Sequence, residues 1–413
     1  MAQHATAVIG AGVVGCMVAR ELAARDPEVS ITVFDRDAIG AGASRRSAGL
    51  HLPRGATPRI RAMSALSHAC YADLRLLHPE LPIYPVGATV ITGGADDGRL
   101  VGGYLDEAAP APVASTKPDS RENRSPENST PDNRLPDNRL PGNRLPGNRG
   151  AANHEPHSRG TGASSLQNLG ISVPDGSRAW QVAGCHYADV YGLTQAMAAG
   201  LRPRVRFLEG VAVTGLVSGA GTVTVHGGTG ERFVAHSVIL APGPWLSAPA
   251  WHDLVAPLGL RVKKIVALHI EQRPAPSDEA VILDDEDAFL LPLAHRGHWL
   301  FSYTCKEWDV DPDGLAAGLS AANVGAAREC LRRYSPALAD ACRAGRVFCD
   351  AYSPDAEPVV RALDDAGRII FAGAANGSGY RLAPAIGSEA VDLLLELRGS
   401  PPGFSTAERR SHR

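Results

Sequence analysis

The stretch Thr6-Ala-Val-Ile-Gly10-Ala-Gly12-Val-Val14-Gly15, running on through residues 16–25 to Ser30-Ile-Thr-Val-Phe-Asp35, decides the fold. Residues 6–9 are an apolar run of strand character, and a Gly-x-Gly-x-x-Gly turn follows at once. Residues 16–25 are rich in Ala, Leu and Val and free of Gly and Pro, so they read as a helix. A second β-branched run, 29–34, ends in an acid twenty residues after the third glycine. Gly10 permits the tight turn, Gly12 lets the backbone approach a pyrophosphate, and Gly15 lets helix and strand pack closely. The helix start, with Val14 in its first turn, then faces phosphates, while Asp35, with Arg36 beside it, can accept hydrogen bonds from ribose hydroxyls. Strand, turn, helix, strand and acid in register point to a dinucleotide site.

Composition bounds the rest. The 413 residues are 44% hydrophobic, enough for a large core and two to three domains. A net charge of −3 and a pI near 6.5 point away from nucleic acid and from anionic membrane surfaces. No apolar run is long enough to span a bilayer, and Met1-Ala-Gln-His leads straight into the first strand, so neither a membrane anchor nor a signal peptide is expected. Seven cysteines, odd in number and without CxxC spacing, fit the reduced thiols of a cytoplasmic protein. The fourteen histidines form no HExxH motif, so no metal is expected, and no Gly-x-Ser-x-Gly elbow supports hydrolase chemistry.

After Asp35 the chain spends fourteen residues on Asp37-Ala-Ile-Gly40-Ala-Gly42-Ala43-Ser44-Arg-Arg-Ser47-Ala-Gly49-Leu50. This loop offers hydroxyls and backbone N–H groups to a second set of phosphate or ring oxygens, which favours a dinucleotide larger than a nicotinamide cofactor. Residues 58–78 repeat apolar positions near a 3.6 period and read as an amphipathic helix, stopped by Pro79 and Pro82. A strand is expected at 84–92. Residues 110–165 are then mostly Pro, Asn, Arg, Gly, Ser and Asp, centred on the repeat Pro131-Asp-Asn-Arg-Leu, Pro136-Asp-Asn-Arg-Leu, Pro141-Gly-Asn-Arg-Leu. One Leu per five residues cannot bury enough surface to offset ordering, so a disordered insertion is expected, with a basic docking arm as the alternative.

Order is expected to resume near 177: a strand at 180–187, a helix at 191–201, and a β-meander of 205–209, 211–217, 222–226 and 231–235. Residues 237–241 form a buried strand that runs into the rigid corner Pro242-Gly243-Pro244-Trp245, the kind of strand end where open α/β sheets bind ligands. Strands follow at 262–271, 280–283, 288–293 and 298–304, a helix at about 320–343, and strands at 347–352 and 368–372. The chain closes with Gly373-Ala-Ala-Asn-Gly377-Ser-Gly379-Tyr380-Arg381-Leu382-Ala-Pro384 and a helix at 385–398, whose dipole can face a second anionic group.

These glycine-rich corners, from residue 6 to residue 390, resemble the FAD-dependent oxidoreductases of the D-amino-acid oxidase, glycine oxidase and sarcosine oxidase superfamily. The C-terminal return to the nucleotide domain, Ala372 to Gly387, is the most specific piece. The resemblance implies an α/β (α+β) fold: a discontinuous Rossmann-like FAD-binding domain from 1–80, 177–250 and 347–400, a β-sheet substrate domain from 81–109 and 255–346, the insertion, and a flexible tail at 401–413. It places Gly42, Ala43, Ser44, Ser47, Gly49 and Leu50 by the pyrophosphate and flavin, and Val213 near adenine. Ala241, Gly243 and Trp245 join the cofactor site, and Gly377, Gly379, Tyr380, Arg381 and Leu382 sit at the pyrimidine edge. The flavin would take a hydride at N5, while the protein supplies orientation and electrostatics.

The substrate residues come from the same resemblance. Arg61, more than Arg59, matches an arginine that binds the substrate carboxylate, and Arg381 stands where a lysine does the same work; a solvated helix face is the plain alternative for Arg61. Lys264, beside Lys263, would hold positive charge near N5 and favour reoxidation by O2, with a surface strand end as the plain alternative. Cys349 is one residue out of register with a flavin-linking cysteine, so its thiol is expected to point away and FAD to bind noncovalently. Asp350 stands where glycine-oxidase-like members carry an arginine, so either Arg61 and Arg381 alone hold the carboxylate, or Asp350, with Tyr352 beside it, meets a cationic substrate group. The expected activity is oxidation of a small amino acid or amine to an imine, with O2 reduced to H2O2. The alternatives are a dehydrogenase of a 2-hydroxy acid or amine using another acceptor, and an FAD-binding scaffold that recruits a partner through the repeat.

Overall fold

The opening motif folds as its pattern requires. In the computed structural model, which describes residues 4–93, 97–108, 110–113 and 163–399, Ala5–Ile9 and Ser30–Phe34 pair in parallel with the helix Val13–Arg25 as their crossover. A right-handed crossover of this kind is the standard way to join parallel neighbours. Gly10 has φ +102°, and a Cβ there would stand 2.2 Å from the Ala241 carbonyl oxygen. A Cβ on Gly15 would stand 1.9 Å from the Gly10 carbonyl oxygen, so strand and helix touch backbone to backbone.

Four more strands complete a six-stranded sheet in the order Val359–Ala362, Ile369–Gly373, Ser237–Leu240, Ala5–Ile9, Ser30–Phe34, Val205–Leu208. All neighbours are parallel except the first pair, an antiparallel edge. Ser237–Leu240 is buried at all four positions, as befits a central strand covered on both faces. Helices Val13–Arg25, Pro58–Leu77, Val190–Leu201 and Gly379–Gly399 cover one face. The antiparallel trio Val213–Ser218, Val223–Gly227 and Arg232–Ala235 covers the other. The expected four-stranded meander is thus divided: Val205–Leu208, buried at alternate positions, is taken by the parallel sheet.

A mixed sheet of eight strands stands beside this layer, in the order Cys342–Tyr352, Arg261–Ile270, His298–Trp308, Ala288–Leu293, Ala280–Leu283, Ala88–Thr92, Arg178–Val182, Ala111–Pro112. Its outer face packs on helices Ala321–Arg332 and Pro336–Ala341. These are two helices where one was expected, because Ser335 caps a new start with Pro336 in its first turn. Two strands assigned by resemblance to the nucleotide domain, Arg178–Val182 and Cys342–Tyr352, hydrogen-bond into this second sheet. Most of the expected insertion, 114–162, and the tail from 400 onward lie outside the described residues. Its flanks are ordered: Ala111–Pro112 is a strand, Ala163–Asn168 a helix, and Ser165 is fully buried, its Oγ accepting from Glu279 N at 3.0 Å.

The last helix begins at Gly379, not at 385, and carries Pro384 inside it. Proline has no N–H for the carbonyl four residues back, which belongs to Tyr380. The Tyr71 hydroxyl fills that role at 2.6 Å, and Ser67 Oγ accepts from the Ala385 N–H at 3.3 Å. Helix Pro58–Leu77 therefore clasps the proline turn next to the C-terminal glycine loop.

Candidate active site

A cleft with about 1480 Å³ of space, open at its mouth, runs along the carboxyl ends of the parallel strands. Its nucleotide end is built from the opening motif. Gly10, Gly12 and Val14 line it, and Val13 N donates to Ser44 Oγ at 2.9 Å, which ties the loop after Asp35 to the helix start. Asp35 accepts from Ala11 N at 2.8 Å and Asp37 N at 2.9 Å. Burial pushes its carboxyl upward, against those two N–H groups, which hold it down. Arg36 stacks on the Trp245 ring at 4.6 Å and donates to Asp313, which also accepts from Trp245 Nε1 at 2.8 Å. Asp313 closes this clasp from the turn after strand His298–Trp308, and no motif in the sequence marks it.

Gly42, Ala43, Ser44 and Ser47 line the middle of the cleft, with Val213, Ala241, Gly243 and Trp245 opposite. Trp245 packs so closely that a Cβ on Gly42 would stand 2.9 Å from its ring. At the far end lie Gly377, Gly379 and Tyr380, together with Asp350 and Ala351. Here Ala374 and Asn376 hold φ +51° and +52°. L-residues adopt such left-handed backbone only when their surroundings enforce it. Asn376 supplies that force, accepting from Ser353 N at 2.9 Å and donating to the Ala374 carbonyl at 3.0 Å.

Other residues singled out from the sequence stand outside this lining. Gly15 and Gly49 serve backbone packing: a Cβ on Gly49 would stand 2.2 Å from the Ala188 carbonyl oxygen. Leu50 packs at the edge of the apolar cluster around Tyr187, and Leu382 is buried in the helical core. Arg61 donates to the Gly102 carbonyl. Arg59 is spanned by Glu357 at 3.0 Å and Glu389 at 2.6 Å. Lys264 is 8% exposed and its Nζ meets Glu307 Oε2 at 3.1 Å, with Asn323 of helix Ala321–Arg332 on the same carboxylate. Lys263 pairs across the ladder with Asp350, and opposite residues in a ladder share a face. Its Nζ lies 4.9 Å from the Trp308 ring centre and 5.5 Å from that of Tyr352. The strand alternation thus turns Lys263, not Lys264, to the side of Asp350 and Tyr352. Cys349 packs with Val262 and Ala351, and burial pushes its thiol up to about 12.

Charge is distributed unevenly at this end. Arg381, half-buried and adjoining the lining residue Tyr380 without itself lining the cleft, donates to the Arg54 carbonyl and to Ser378 Oγ at 2.9 Å, and meets no carboxylate among the described residues. Burial, helped by the Arg54 charge, pulls its guanidinium down to about 10. Arg54 itself is neutralised by Asp284 at 2.6 Å and lies 5.9 Å from the Tyr104 ring. Asp350 has no hydrogen-bond partner among the described residues, and burial raises it to about 6. Burial also raises Tyr352, and the Asp350 charge adds to the shift. Arg54, Tyr104 and Asp284 come from three distant segments, and nothing in the sequence joins them.

The residues fit a dinucleotide with a long second half. A helix start faces the cleft, an anchored carboxylate stands at one end, and small residues line the floor between that end and a strained glycine loop. The family profile described as FAD dependent oxidoreductase matches residues 5–393. The chain belongs to that family and is an FAD-dependent oxidoreductase. No curated protein sequence matches it. Among solved structures, L-proline dehydrogenase from P. horikoshii superposes with a TM-score of 0.70 at 15% identity, covering 95% of this chain and 94% of that one. Glycine oxidase from Geobacillus kaustophilus gives 0.67 at 16%, covering 98% of each. Fructosyl amine:oxygen oxidoreductase (amadoriase I) from Aspergillus fumigatus gives 0.69 at 16%, covering 95% and 87%. At these identities the likeness establishes the fold, a Rossmann-like nucleotide layer beside a sheet domain. No helix among the described residues is long and apolar enough to cross a membrane.

Proposed function

We propose that the protein oxidises the carbon–nitrogen bond of an amino acid, with noncovalent FAD and with Arg381 as the carboxylate anchor. The observation that carries this reading is the half-buried guanidinium whose hydrogen bonds, among the described residues, go to a carbonyl and a hydroxyl and to no carboxylate. A buried cation without a counter-ion is costly, and a substrate carboxylate would relieve that cost with a charge-assisted, bidentate contact. The names of the similar structures, a proline dehydrogenase, a glycine oxidase and a fructosyl amine oxidoreductase, agree with an amino acid or amine as donor.

Bound FAD supplies the hydride acceptor. The chain's own residues bind and orient. Arg381 fixes the carboxylate, and Asp350, poised near pH 6, faces the substrate ammonium and can take its proton so that the amine reacts neutral. Tyr352, held protonated, stays a donor beside it. Cys349, packed away from the cleft lining, supports noncovalent flavin. The dehydrogenase reading has one observation in its favour. Lys264, the cation expected to assist O2, is tied to Glu307.

The test is a set of amino acids, each beside its decarboxylated amine, assayed for H2O2 and for dye reduction. Equal turnover of acid and amine overturns the Arg381 anchor. Air reoxidation of the reduced protein decides the acceptor. Acid precipitation that leaves the colour in the pellet overturns noncovalent binding.

A further inference from the structure

Three histidines that share no sequence motif meet behind Tyr380. His51 lies on the strand Leu50–His51, His186 on the strand His186–Ala188, and His68 on the helix Pro58–Leu77. One ring nitrogen from each falls within 4.8 Å of the other two, the one such group found among the described residues. We propose that His51, His68 and His186 bind a late first-row divalent ion, Zn2+ in the first instance, as a three-imidazole site with an open fourth position.

Geometry comes first. His68 Nδ1 and His51 Nε2 are 3.3 Å apart. Two nitrogens about 2.0–2.1 Å from a tetrahedral zinc stand at about that separation. The third ligand is not yet aligned. The His51 and His186 rings are stacked at 4.4 Å and 11°, so coordination requires His186 to turn out of the stack. Its Nε2 is buried and without a hydrogen-bond partner among the described residues, so the turn breaks no hydrogen bond. Buried orphaned polar atoms are rare in native proteins and ask for a partner.

Burial is nearly complete for two of the three: His51 is 0% and His186 2% exposed. His51 Nδ1 is likewise buried without a hydrogen-bond partner among the described residues. Tyr71 and Tyr380 wall the site, with ring centres 5.1 and 6.0 Å from His186. Arg75 and Arg381 are the charged neighbours. They repel a dication, so an anion such as hydroxide or chloride would suit the fourth position, and the affinity should fall below that of a thiolate site. The ion would pin strand, helix and strand together directly behind Tyr380, whose carbonyl Tyr71 holds. The inference does not depend on the proposed substrate.

The experiment uses tag-free, full-length flavoprotein, stripped with chelator and titrated with Zn2+ and with Co2+ under metal buffering. One equivalent per chain is expected at micromolar free metal, with a Co2+ ligand-field spectrum of low coordination number and three imidazoles in the X-ray absorption fine structure. His68→Ala, which removes the half-buried ligand, should weaken binding at least about 100-fold while the flavin spectrum is kept, since even outer partners are worth about 10–100-fold. His252→Ala, at an exposed histidine elsewhere, should leave binding unchanged. Absence of stoichiometric binding by the wild type, fewer than three imidazoles on the ion, or equal binding by His68→Ala overturns the site. The wild-type stoichiometry and imidazole count decide the matter even where a variant fails to fold.

Discussion

The two ends of the cleft are built on opposite principles. At the nucleotide end the polar groups are satisfied from within: Asp35 by two backbone N–H groups, Ser44 by Val13 N, Arg36 by Asp313. At the far end charge is left over: Arg381 meets no carboxylate, and Asp350 meets no donor among the described residues. Complete satisfaction yields a rigid cradle that any chain of this family can present to the same cofactor. Unmet charge instead marks where something variable must bind, because a buried charge is tolerable only when a partner arrives.

The comparison breaks most sharply at the cradle. Gly10→Val should abolish flavin retention, since a Cβ would overlap the Ala241 carbonyl and φ +102° excludes a β-branched side chain. The flavin-to-protein ratio after gel filtration checks it. At the other end Arg381→Ala should leave flavin bound yet lower kcat/KM for an amino acid by about 2–4 kcal/mol, roughly 30- to 1000-fold. Arg381→Lys should restore part of that, keeping the charge and losing the fork. If Arg381→Ala costs flavin instead of turnover, the two ends are not separate in function.

Asp35→Ala should weaken FAD by about 1.5–3 kcal/mol, the worth of a hydrogen bond to a charged group, read by fluorescence titration of the apoprotein. Asp350→Asn tests the unmet anion through stability. The wild-type carboxyl is raised from 3.8 to about 6, so the fold favours its protonated form, and that advantage is lost as pH rises through about 6. The Asn variant should therefore match the wild type below about pH 4 and exceed it above pH 6, by about 1–2 kcal/mol once water at the cleft wall is allowed for. Thermal melts at several pH values settle the sign, and a variant less stable at pH 8 would show that Asp350 has a cationic partner. Arg61→Ala should be the mildest, within about 0.5 kcal/mol in kcat/KM, because Arg61 is engaged with the Gly102 carbonyl outside the cleft lining.

The legibility of the sequence follows the same division. Gly10, Gly12, Gly15 and Asp35 could be read directly because each task is local: a turn, a close approach and an acid in register within one strand-helix-strand unit. The corner at Ala241–Trp245 and the C-terminal glycine loop were legible for the same reason; Gly10, Gly12, Asp35, that corner, Gly377 and Gly379 line one cleft, while Gly15 packs helix on strand. Lys264 was singled out, yet which neighbouring lysine faces the cleft depends on strand register. Alternation on Arg261–Ile270 put Lys263 on the side of the lining residue Asp350 and tied Lys264 to Glu307. The last helix was read as starting after Pro384, since a lone sequence cannot show that Tyr71 stands ready for the carbonyl that proline leaves free.

By itself, then, the sequence determined the nucleotide layer and the class of cofactor, because backbone geometry and small residues act over a few positions. Tertiary structure alone decided which charges go unpaired. Arg59 and Arg381 are both arginines, but two glutamates reach the first and none among the described residues reaches the second. It also decided that three histidines from three segments should face one another. Coulomb interactions and metal ligation depend on distances across the fold, and a chain 413 residues long records those distances only once it has folded.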